Sequence, residues 1–251
     1  MPTLVNDSLV IIPTYNEKEN IQLLMSTVLA LPVAFDVLIV DDGSPDGTGA
    51  LVQAMQSSHP DRVHLLERKG KLGLGTAYIA GFKYALNHDY RYIFEMDADF
   101  SHNPEDLVRL YQACSEDGYD VAIGSRYVTG VNVVNWPIKR VLISYFASYY
   151  VRLVTGMPFK DATAGFKCYR REVLRAIDPD RVQFIGYAFQ ISMKFNAWRH
   201  GFKIIEVPII FTDRTRGVSK MSSKIFWEAF GGVLYMKFRS LFRKYAPAAS
   251  S

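Results

Sequence analysis

The chain has 251 residues, of which 49% are hydrophobic and 22% charged, and its formal net charge is +4. This length and balance predict one large globular domain, or one domain with an extension, and argue against long disorder. The two cysteines, Cys114 and Cys168, form neither a CxxC pair nor a disulfide framework, and the N-terminus has no signal-peptide pattern. A reducing cytoplasm is therefore the expected compartment.

The positive charge is concentrated at the C-terminal end. Residues 203–251 contain nine Lys or Arg against three acids, a balance of +6 that leaves −2 for the rest of the chain. Such a bias suits an anionic partner, whether a phospholipid surface, nucleic acid or a phosphorylated substrate.

Short apolar runs alternate with amphipathic segments over the first half of the chain. Residues 9–12 predict a strand that Pro13 ends, because proline cannot donate to a sheet ladder. Further strands are expected near 36–40, 63–66, 92–96 and 120–124, and a helix follows each of the first four strands. This alternation predicts a mainly parallel, doubly wound α/β sheet.

Acidic residues follow two of these strands, and a Pro-Tyr-x-Glu turn follows the first. Asp97 and Asp99 stand where one apolar run breaks off, and Asp41 and Asp42 end another in the same way. The carboxyl ends of parallel strands meet at one edge of a sheet, which is where ligands sit in open α/β folds. Two carboxylates beside a phosphate suit Mg²⁺ or Mn²⁺, although Asp is also common in solvated turns.

Glycines 73 and 75 precede a predicted helix without completing a dinucleotide-binding fingerprint, since Tyr78 replaces the third glycine. We expect these glycines to serve the turn, with a phosphate contact from Lys71 as the alternative. The five histidines lack metal-ligand spacing and are expected at the surface or at helix caps. No Ser-His-Asp or Cys-His constellation is visible.

The second half of the chain predicts two unusual helices. Residues 138–154 are rich in aromatic residues, but their uncharged stretch, 141–151, covers only about half of a ~30 Å hydrocarbon core. This helix either lies in a membrane interface or packs against the sheet. The last helix, 224–245, has an aromatic face and a basic end, a profile typical of a membrane-surface helix.

Between these helices, residues 160–166 predict a loop followed by a helix through Val173 and Leu174, and another helix follows Gln190. Residues 204–211 predict a strand, and Pro208 favours an edge position for it. Basic side chains lie beside the predicted loops of this half. Carboxylates on one side and guanidinium groups on the other suit substrates that carry more than one phosphate. The basic residues concerned are Arg126, Arg140, Arg214, Arg216 and Lys220.

Seven motifs resemble the inverting family 2 glycosyltransferases, and more closely the dolichyl or polyprenyl-phosphate mannose synthases. They span roughly residues 8–222 in the order expected for that group. The motifs are IPTYNE (12–17), VDDGSPDGT (40–48), GLGTA (73–77), MDADFSH (96–102), GSRY (124–127), DATAGF (161–166) and RGVSKMS (216–222).

The resemblance implies a GT-A fold, which is Rossmann-like with a mainly parallel sheet and flanking helices, followed by an amphipathic membrane-surface helix. Residues 1–222 would form the transferase domain, with a donor half of about 1–127 and an acceptor half of about 128–222. Residues 223–251 would form the basic, aromatic helix and tail.

Site residues carried over from the resemblance fall into three groups. Those for the nucleotide are Pro13, Tyr15, Glu17, Val40 and Asp42. Those for the cation and donor diphosphate are Asp97, Asp99, the Ala98 backbone, Arg214 and Lys220. Ser101 stands where some relatives have a third metal ligand. Those for transfer are Asp99, Arg126 at the sugar or transferred centre, and Arg140 at the acceptor phosphate.

The activity implied is transfer of mannose from GDP-mannose to a polyprenyl phosphate, with Mg²⁺ or Mn²⁺, at the cytosolic face of a membrane. A lipid phosphate is already an anionic nucleophile at neutral pH, which agrees with the absence of an obvious catalytic base. UDP-glucose or another nucleotide sugar as donor, and a binding module without turnover, are the alternatives. A separate membrane-anchoring subunit is left open as a partner, and nucleic acid is not expected as one.

Overall fold

A computed structural model describes residues 6–213, 223–243 and 245 of the chain. The strands are β1 Ser8–Thr14, β2 Phe35–Asp41, β3 Val63–Glu67, β4 Tyr92–Glu95, β5 Val121–Ser125, β6 Val133–Val134, β7 Lys167–Arg170, β8 Ile204–Pro208 and β9 Phe211–Thr212. The helices are α1 Ile21–Leu29, α2 Thr48–Ser58, α3 Leu74–Leu86, α4 Asp106–Ser115, α5 Ile138–Thr155, α6 Arg171–Ile177, α7 Tyr187–Arg199 and α8 Ser223–Ser240.

Seven strands form one sheet in the order β3-β2-β1-β4-β7-β5-β8, and β6 pairs with β9 in a separate two-stranded ribbon. All neighbouring pairs of the large sheet are parallel except those of β7, which is antiparallel to β4 and to β5. The prediction of a mainly parallel α/β sheet is confirmed.

Alternating side chains of the strands feed two cores, one on each face of the sheet. In β1, Leu9 and Ile11 join the core that α3, α6 and α7 cover, whereas Val10 and Ile12 join the core that α1 and α4 cover. Strands buried on both faces explain why the sequence shows continuous apolar runs instead of a period of two.

The position of Pro13 corrects the prediction that this residue ends the first strand. β1 continues to Thr14, and Pro13 pairs in register with Val40 of β2. The main chain of Ile11 points toward β4, where its carbonyl accepts from Met96, and Pro13 points the same way two residues later. Since β4 ends at Glu95, the missing Pro13 N–H deprives no neighbouring strand of a hydrogen bond.

Other predictions hold in part. Residues 160–166 form a loop and α6 contains Val173 and Leu174, as predicted. The strand β7 between them was not predicted, because Lys167 interrupts the apolar pattern by which a strand is recognised. The last helix ends at Ser240, earlier than predicted. The predicted strand 204–211 is also shorter, since β8 ends at Pro208 and Phe211 belongs to β9, whereas the edge position of β8 is as expected.

Candidate active site

Five strand ends meet at one edge of the sheet. β1, β2 and β4 are parallel, and β7 runs antiparallel to both β4 and β5, so β5 and β8 point the same way as the first three. The turns after these strands start at this edge, and the loop before β7 ends at it. The topology therefore brings the acidic turns and Arg126 to one edge, as the sequence predicts.

The turns after β1 and β2 are joined to each other by hydrogen bonds. The Asp41 carboxylate accepts from the Thr14 hydroxyl at 2.8 Å and from the Ser44 hydroxyl at 2.6 Å. The Asn16 amide donates to the Ser44 hydroxyl at 2.9 Å, and Asn16 has a φ of 58°. The Glu17 amide donates to the Thr48 hydroxyl at 3.1 Å. Asp41 thus organises the turn structurally.

Asp42 faces a different partner from its neighbour. Its carboxylate accepts a hydrogen bond from Arg68 Nε at 2.6 Å, and Arg68 also donates to the Thr76 hydroxyl at the start of α3. Near the same turn, the Lys71 ammonium lies 5.4 Å from the centre of the Tyr15 ring. The nucleotide roles of Pro13, Tyr15, Glu17, Val40 and Asp42 stay predictions. Because the Val40 side chain is fully buried, a nucleotide contact at this residue would have to be made by its backbone.

Gly75 has a packing function that the sequence did not reveal. A Cβ at this position would lie 2.8 Å from the Phe184 carbonyl oxygen and 2.9 Å from that of Ile185. The Gly75 amide donates to the Ile185 oxygen at 2.7 Å, so the start of α3 and the segment before α7 are in backbone contact. Gly73 has a φ of +101°, which agrees with its expected use in a turn.

The Asp97-x-Asp99 turn begins two residues after β4 ends. The side chain of Asp97 is 39% exposed, and it accepts a hydrogen bond from the Tyr78 hydroxyl at 3.4 Å. Burial and the Asp97 charge raise the pKa of Tyr78 well above its ordinary value, so Tyr78 remains a neutral donor. Asp99 accepts from the Ser101 amide at 3.1 Å, which closes the turn, and Ala98 between the two acids is buried.

The donor atoms of this turn fit a divalent cation by their chemistry. Ser101 is 2% exposed, and its hydroxyl is a buried polar atom without a hydrogen-bond partner among the residues that the structure describes. Within the described part of the chain, no three His, Cys, Asp or Glu residues cluster closely enough to hold a metal ion. Two carboxylates, with the Ser101 hydroxyl as a candidate third ligand, would thus leave positions for phosphate oxygens, as Mg²⁺ and Mn²⁺ sites with nucleotides do.

His102 is buried beside this turn, so the prediction that the histidines lie at the surface or at caps is wrong for it. Its ring stacks on Phe166 at 4.8 Å and meets the edge of Phe211 at 5.1 Å, and Nε2 lies 3.8 Å from an Asp97 oxygen. His102 also forms an isolated bridge with Phe211. His200 is buried as well, but it is the C-cap residue of α7, so the prediction of a cap holds for it. Spacing alone gave no signal for the position of His102.

Arg126 is fixed by the loop before β7. The Asp161 carboxylate accepts three hydrogen bonds from this arginine, from the amide at 3.0 Å and from Nε and Nη2 at 2.7 Å each. Burial opposes the charge of Asp161, but the Arg126 guanidinium and these hydrogen bonds outweigh burial and lower the pKa of Asp161. The ion pair is nearly inaccessible, with side-chain exposures of 10% for Arg126 and 0% for Asp161.

Trp136 lies between the two arginines predicted to serve transfer. Its ring centre is 5.5 Å from the guanidinium carbon of Arg126 and 4.0 Å from that of Arg140. Arg140 also pairs with Asp213 at 2.8 Å. The structure thus brings Arg126 and Arg140 to the same indole ring. Arg214 and Lys220 lie outside the described residues.

Behind the Asp97 turn lies a buried polar cluster that the sequence did not indicate. Glu95 and Lys167 are fully buried and 3.2 Å apart. The Tyr169 hydroxyl and the Gln190 amide donate to the two Glu95 oxygens at 2.9 Å and 2.7 Å, and Lys167 donates to the Gln190 side-chain oxygen. Every charge in this cluster has a partner, as buried ionic groups require.

The helices α5 and α8 present exposed apolar side chains and are in contact. The Tyr150 ring of α5 stacks on Phe230 of α8 at 4.6 Å. No helix in the described ranges is long and apolar enough to cross a membrane. The exposed apolar residues of the two helices and the turn that follows are Ile138, Leu142, Ile143, Tyr145, Phe146, Tyr149, Leu153, Phe230, Leu234, Tyr235, Phe238, Leu241 and Phe242.

Two known proteins are similar to this chain in sequence. The chain is 50% identical over 222 residues to the polyprenol monophosphomannose synthase of Mycolicibacterium smegmatis, covering 88% of this chain and 83% of the relative. It is 48% identical over 221 residues to the undecaprenyl-phosphate mannosyltransferase of Micrococcus luteus, covering 88% and 90%.

A solved structure shares the fold at low identity. It is a mannosyltransferase from Pyrobaculum calidifontis in complex with GDP-Man and Mn²⁺, 19% identical, with a TM-score of 0.59 over 98% of this chain and 67% of that one. The model of the family described as glycosyl transferase family 2 matches residues 9–178. The protein therefore belongs to glycosyltransferase family 2 and has the GT-A fold that the sequence predicted.

Proposed function

We propose that this enzyme transfers mannose from GDP-mannose to a polyprenyl phosphate, with inversion, to give polyprenyl-phosphate β-mannose and GDP. The observation that carries the proposal is the near-50% identity, over most of the chain, to two enzymes named for polyprenyl-phosphate mannosyl transfer. The site supports it, since the Asp97 and Asp99 carboxylates and two arginines suit a reaction between two phosphorylated substrates.

The donor is expected to lie along the carboxyl edge of β1, β2 and β4. Asp97 and Asp99, with the Ser101 hydroxyl, would hold Mg²⁺ or Mn²⁺. When bound, the cation would offset the charge of the departing diphosphate. Lys71, whose ammonium lies over the Tyr15 ring, would add a positive charge near the nucleotide.

The acceptor phosphate would be oriented by Arg140. A phosphate monoester has its second pKa near ~6 and is largely dianionic at pH 7, so it attacks C1 without a protein base. Arg140 is one-third exposed, and its position on the Trp136 face leaves the guanidinium with a defined orientation. Holding the phosphate oxygen in line with the leaving group is the main contribution required from the protein.

The direct test is transfer of label from GDP-[¹⁴C]mannose to a C55 polyprenyl phosphate, with Mn²⁺ or Mg²⁺, into an organic extract. We expect label in that phase, and GDP released in equal amount. UDP-glucose, GDP-glucose and UDP-N-acetylglucosamine serve as competing donors. Transfer from UDP-glucose in preference to GDP-mannose would overturn the donor assignment. Tight GDP binding with no transfer would favour a binding module without turnover.

We also propose that α5 and α8 together hold the enzyme on the cytosolic surface of a membrane. The acceptor is a lipid, and the two helices expose aromatic and aliphatic side chains close to basic residues such as Arg152, Lys237 and Arg239. Exposed apolar surface flanked by cations is the composition that binds anionic bilayers in the interface plane.

Flotation with vesicles of phosphatidylglycerol and phosphatidylcholine tests this surface. Phe146→Ser in α5 and Phe238→Ser in α8 remove side chains that are 61% and 60% exposed, and Leu23→Ser in α1 removes one that is 61% exposed on the opposite face of the sheet. Burial of one Phe is worth about 1.5–3 kcal/mol, so each of the first two should weaken binding about tenfold or more. Equal loss in the Leu23 variant would contradict the assignment of this face.

A further inference from the structure

Lys194 is a fully buried amine whose hydrogen bonds end on the loop that holds Arg126. It lies in α7, one turn after Gln190, within a stretch (188–197) in which every residue is buried. Its ammonium nitrogen donates to the Ala164 carbonyl at 2.8 Å and to the Asp161 carbonyl at 3.3 Å. Both acceptors belong to the loop before β7.

That loop accepts hydrogen bonds from two sides. Lys194 holds the main chain of Asp161 from the helix side, while the carboxylate of the same residue receives the three hydrogen bonds from Arg126. Lys167 donates to the Ala164 carbonyl at 3.3 Å, so two lysines share that oxygen. The hydroxyl of Thr163 in the same loop accepts from Arg126 Nη2 at 2.8 Å.

Lys194 differs from the buried cations Lys167 and Arg126 in its partners. Glu95 pairs with Lys167, and Asp161 pairs with Arg126, whereas Lys194 forms no ion pair within the described part of the chain. Burial is the main cause that lowers the pKa of Lys194 well below its ordinary value, and the Lys167 charge adds to it against the opposing charge of Asp161. Lys194 therefore serves as a hydrogen-bond donor to carbonyls and not as a counter-ion.

Such a group is costly in a protein interior. A buried lysine loses hydration that an apolar residue of similar length would not lose, and two hydrogen bonds to carbonyls recover only part of it. Among the described residues, the hydrogen bonds that offset this cost are the two from the Lys194 amine to the 161–164 loop. What the side chain provides is therefore the placement of that loop.

We propose that Lys194 is a positioning residue of the transfer site, which fixes the loop 161–164 so that Asp161 sets the orientation of the Arg126 guanidinium. Lys194 acts through Arg126 and does not touch the substrates. The catalytic part of this inference rests on the proposed mannosyl transfer. Its geometric part, the support of the Arg126–Asp161 pair, does not.

The test is Lys194→Met, which keeps the length of the side chain and removes its donors. We expect kcat for transfer to fall about tenfold or more, while the KM for GDP-mannose stays within about threefold. Leu174→Ala, which truncates a fully buried side chain of α6, is the control for lost stability. It should lower the melting temperature at least as far without lowering kcat per folded molecule.

A double-variant cycle then asks whether Lys194 acts through Arg126. In an Arg126→Lys background, chosen because it retains a cation, Lys194→Met should cost less than about twofold in kcat, since the group that it orients has been replaced. A tenfold loss in both backgrounds, or wild-type kcat in the single variant, would overturn the proposal.

Hydrogen exchange provides a measurement that does not depend on activity. The Arg126 amide donates to Asp161, so Lys194→Met should raise its exchange rate about tenfold, with no equal rise at Ile39 in the centre of β2. If the wild type transfers no mannose but the Arg126 amide responds, the proposed function fails and the geometric inference stands. If transfer occurs and the amide does not respond, the inference fails alone.

Discussion

Replacing Asp161 by Asn removes the negative charge from the Arg126 pair with almost no change of volume. The carboxylate accepts three Arg126 hydrogen bonds through its two oxygens, and an Asn side chain has one oxygen and one NH₂ group. At least one Arg126 N–H would therefore face another donor. The guanidinium would remain in a site where its side chain is only 10% exposed.

The cost follows from this burial. Removing one partner of a buried ion pair destabilises a protein by about 3–5 kcal/mol, because the other charge is left without compensation. This corresponds to a change of roughly 10²- to 10⁴-fold in the unfolding equilibrium constant. For a chain of this size we expect the melting temperature to fall by about 6–20 °C, from ~2–4 °C for each kcal/mol.

The matched control is Asp180→Asn. Asp180 pairs with Lys83 at the surface, with side-chain exposures of 73% and 47%. Exposed pairs are worth about 0–1 kcal/mol, so this identical substitution should move the melting temperature by no more than ~4 °C. Urea unfolding, analysed at equal m-values, measures both variants. Losses that agree within about 1 kcal/mol would refute the argument that burial gives the Asp161–Arg126 pair its weight.

The same pair predicts a pH dependence of known sign. The folded-state pKa of Asp161 lies below its ordinary value of 3.8, so the stabilisation that this carboxylate supplies is complete above that pH. It is lost progressively as the pH falls from that value through the lower, folded-state value. The stability difference between wild type and Asp161→Asn should therefore be constant from about pH 7 to 5 and shrink only in stronger acid. A difference that shrinks already near pH 6 would point to another group.

Three further substitutions address the site and its support. Asp99→Asn should lower the rate of transfer about 100-fold or more and abolish Mn²⁺ binding measured by electron paramagnetic resonance. Its melting temperature should stay within ~2 °C of wild type, and retained Mn²⁺ binding would remove the metal role of Asp99. Arg140→Ala should raise the KM for polyprenyl phosphate about tenfold or more while the Kd for GDP-mannose is unchanged, since a charge-assisted hydrogen bond is worth about 1.5–3 kcal/mol. The control is Arg109→Ala, which removes a cation of α4 that pairs with Asp106 and should change neither constant. Gly75→Ala should destabilise the fold by about 1–3 kcal/mol in a urea titration, because the added methyl group meets two carbonyl oxygens. Gly231→Ala adds its methyl group where nothing lies within 4 Å and should not destabilise the fold.

The mainly parallel sheet and the edge that carries the candidate site were predictable because both depend on apolar runs. β1, β2, β4 and β5 are buried on both faces, so they appear in the sequence as continuous hydrophobic segments, and each breaks off near its carboxyl end. Parallel pairing then brings those ends together whatever the details of the helices. The positions of Asp97, Asp99 and Arg126 along one edge follow from this topology.

The parts that could not be predicted contain charged or aromatic residues in the interior. Lys167, Lys194 and Glu95 are each fully buried, yet sequence patterns assign charged side chains to the surface. Their burial depends on partners that are distant in sequence, and periodicity carries no information about those partners. β7 was missed for this reason, since it begins with Lys167. His102 was misplaced because the two rings that enclose it, Phe166 before β7 and Phe211 of β9, are distant in sequence.

The buried cluster also determines the charge that lies behind the Asp97-x-Asp99 turn. Glu95 precedes the turn by two residues, and without a partner its carboxylate would place a further negative charge directly behind the acids. Lys167 lies 3.2 Å from Glu95 and cancels that charge inside the core. Tyr78, kept neutral by burial, donates to Asp97 from the α3 side. The buried cluster therefore adds no net negative charge behind the two carboxylates of the turn, whose combined charge one divalent cation would offset. Arg126 and Arg140 are each paired with an acid, but the Arg126–Asp161 pair is buried whereas Arg140 is one-third exposed. Arg140 is therefore the arginine that we expect an acceptor phosphate to reach.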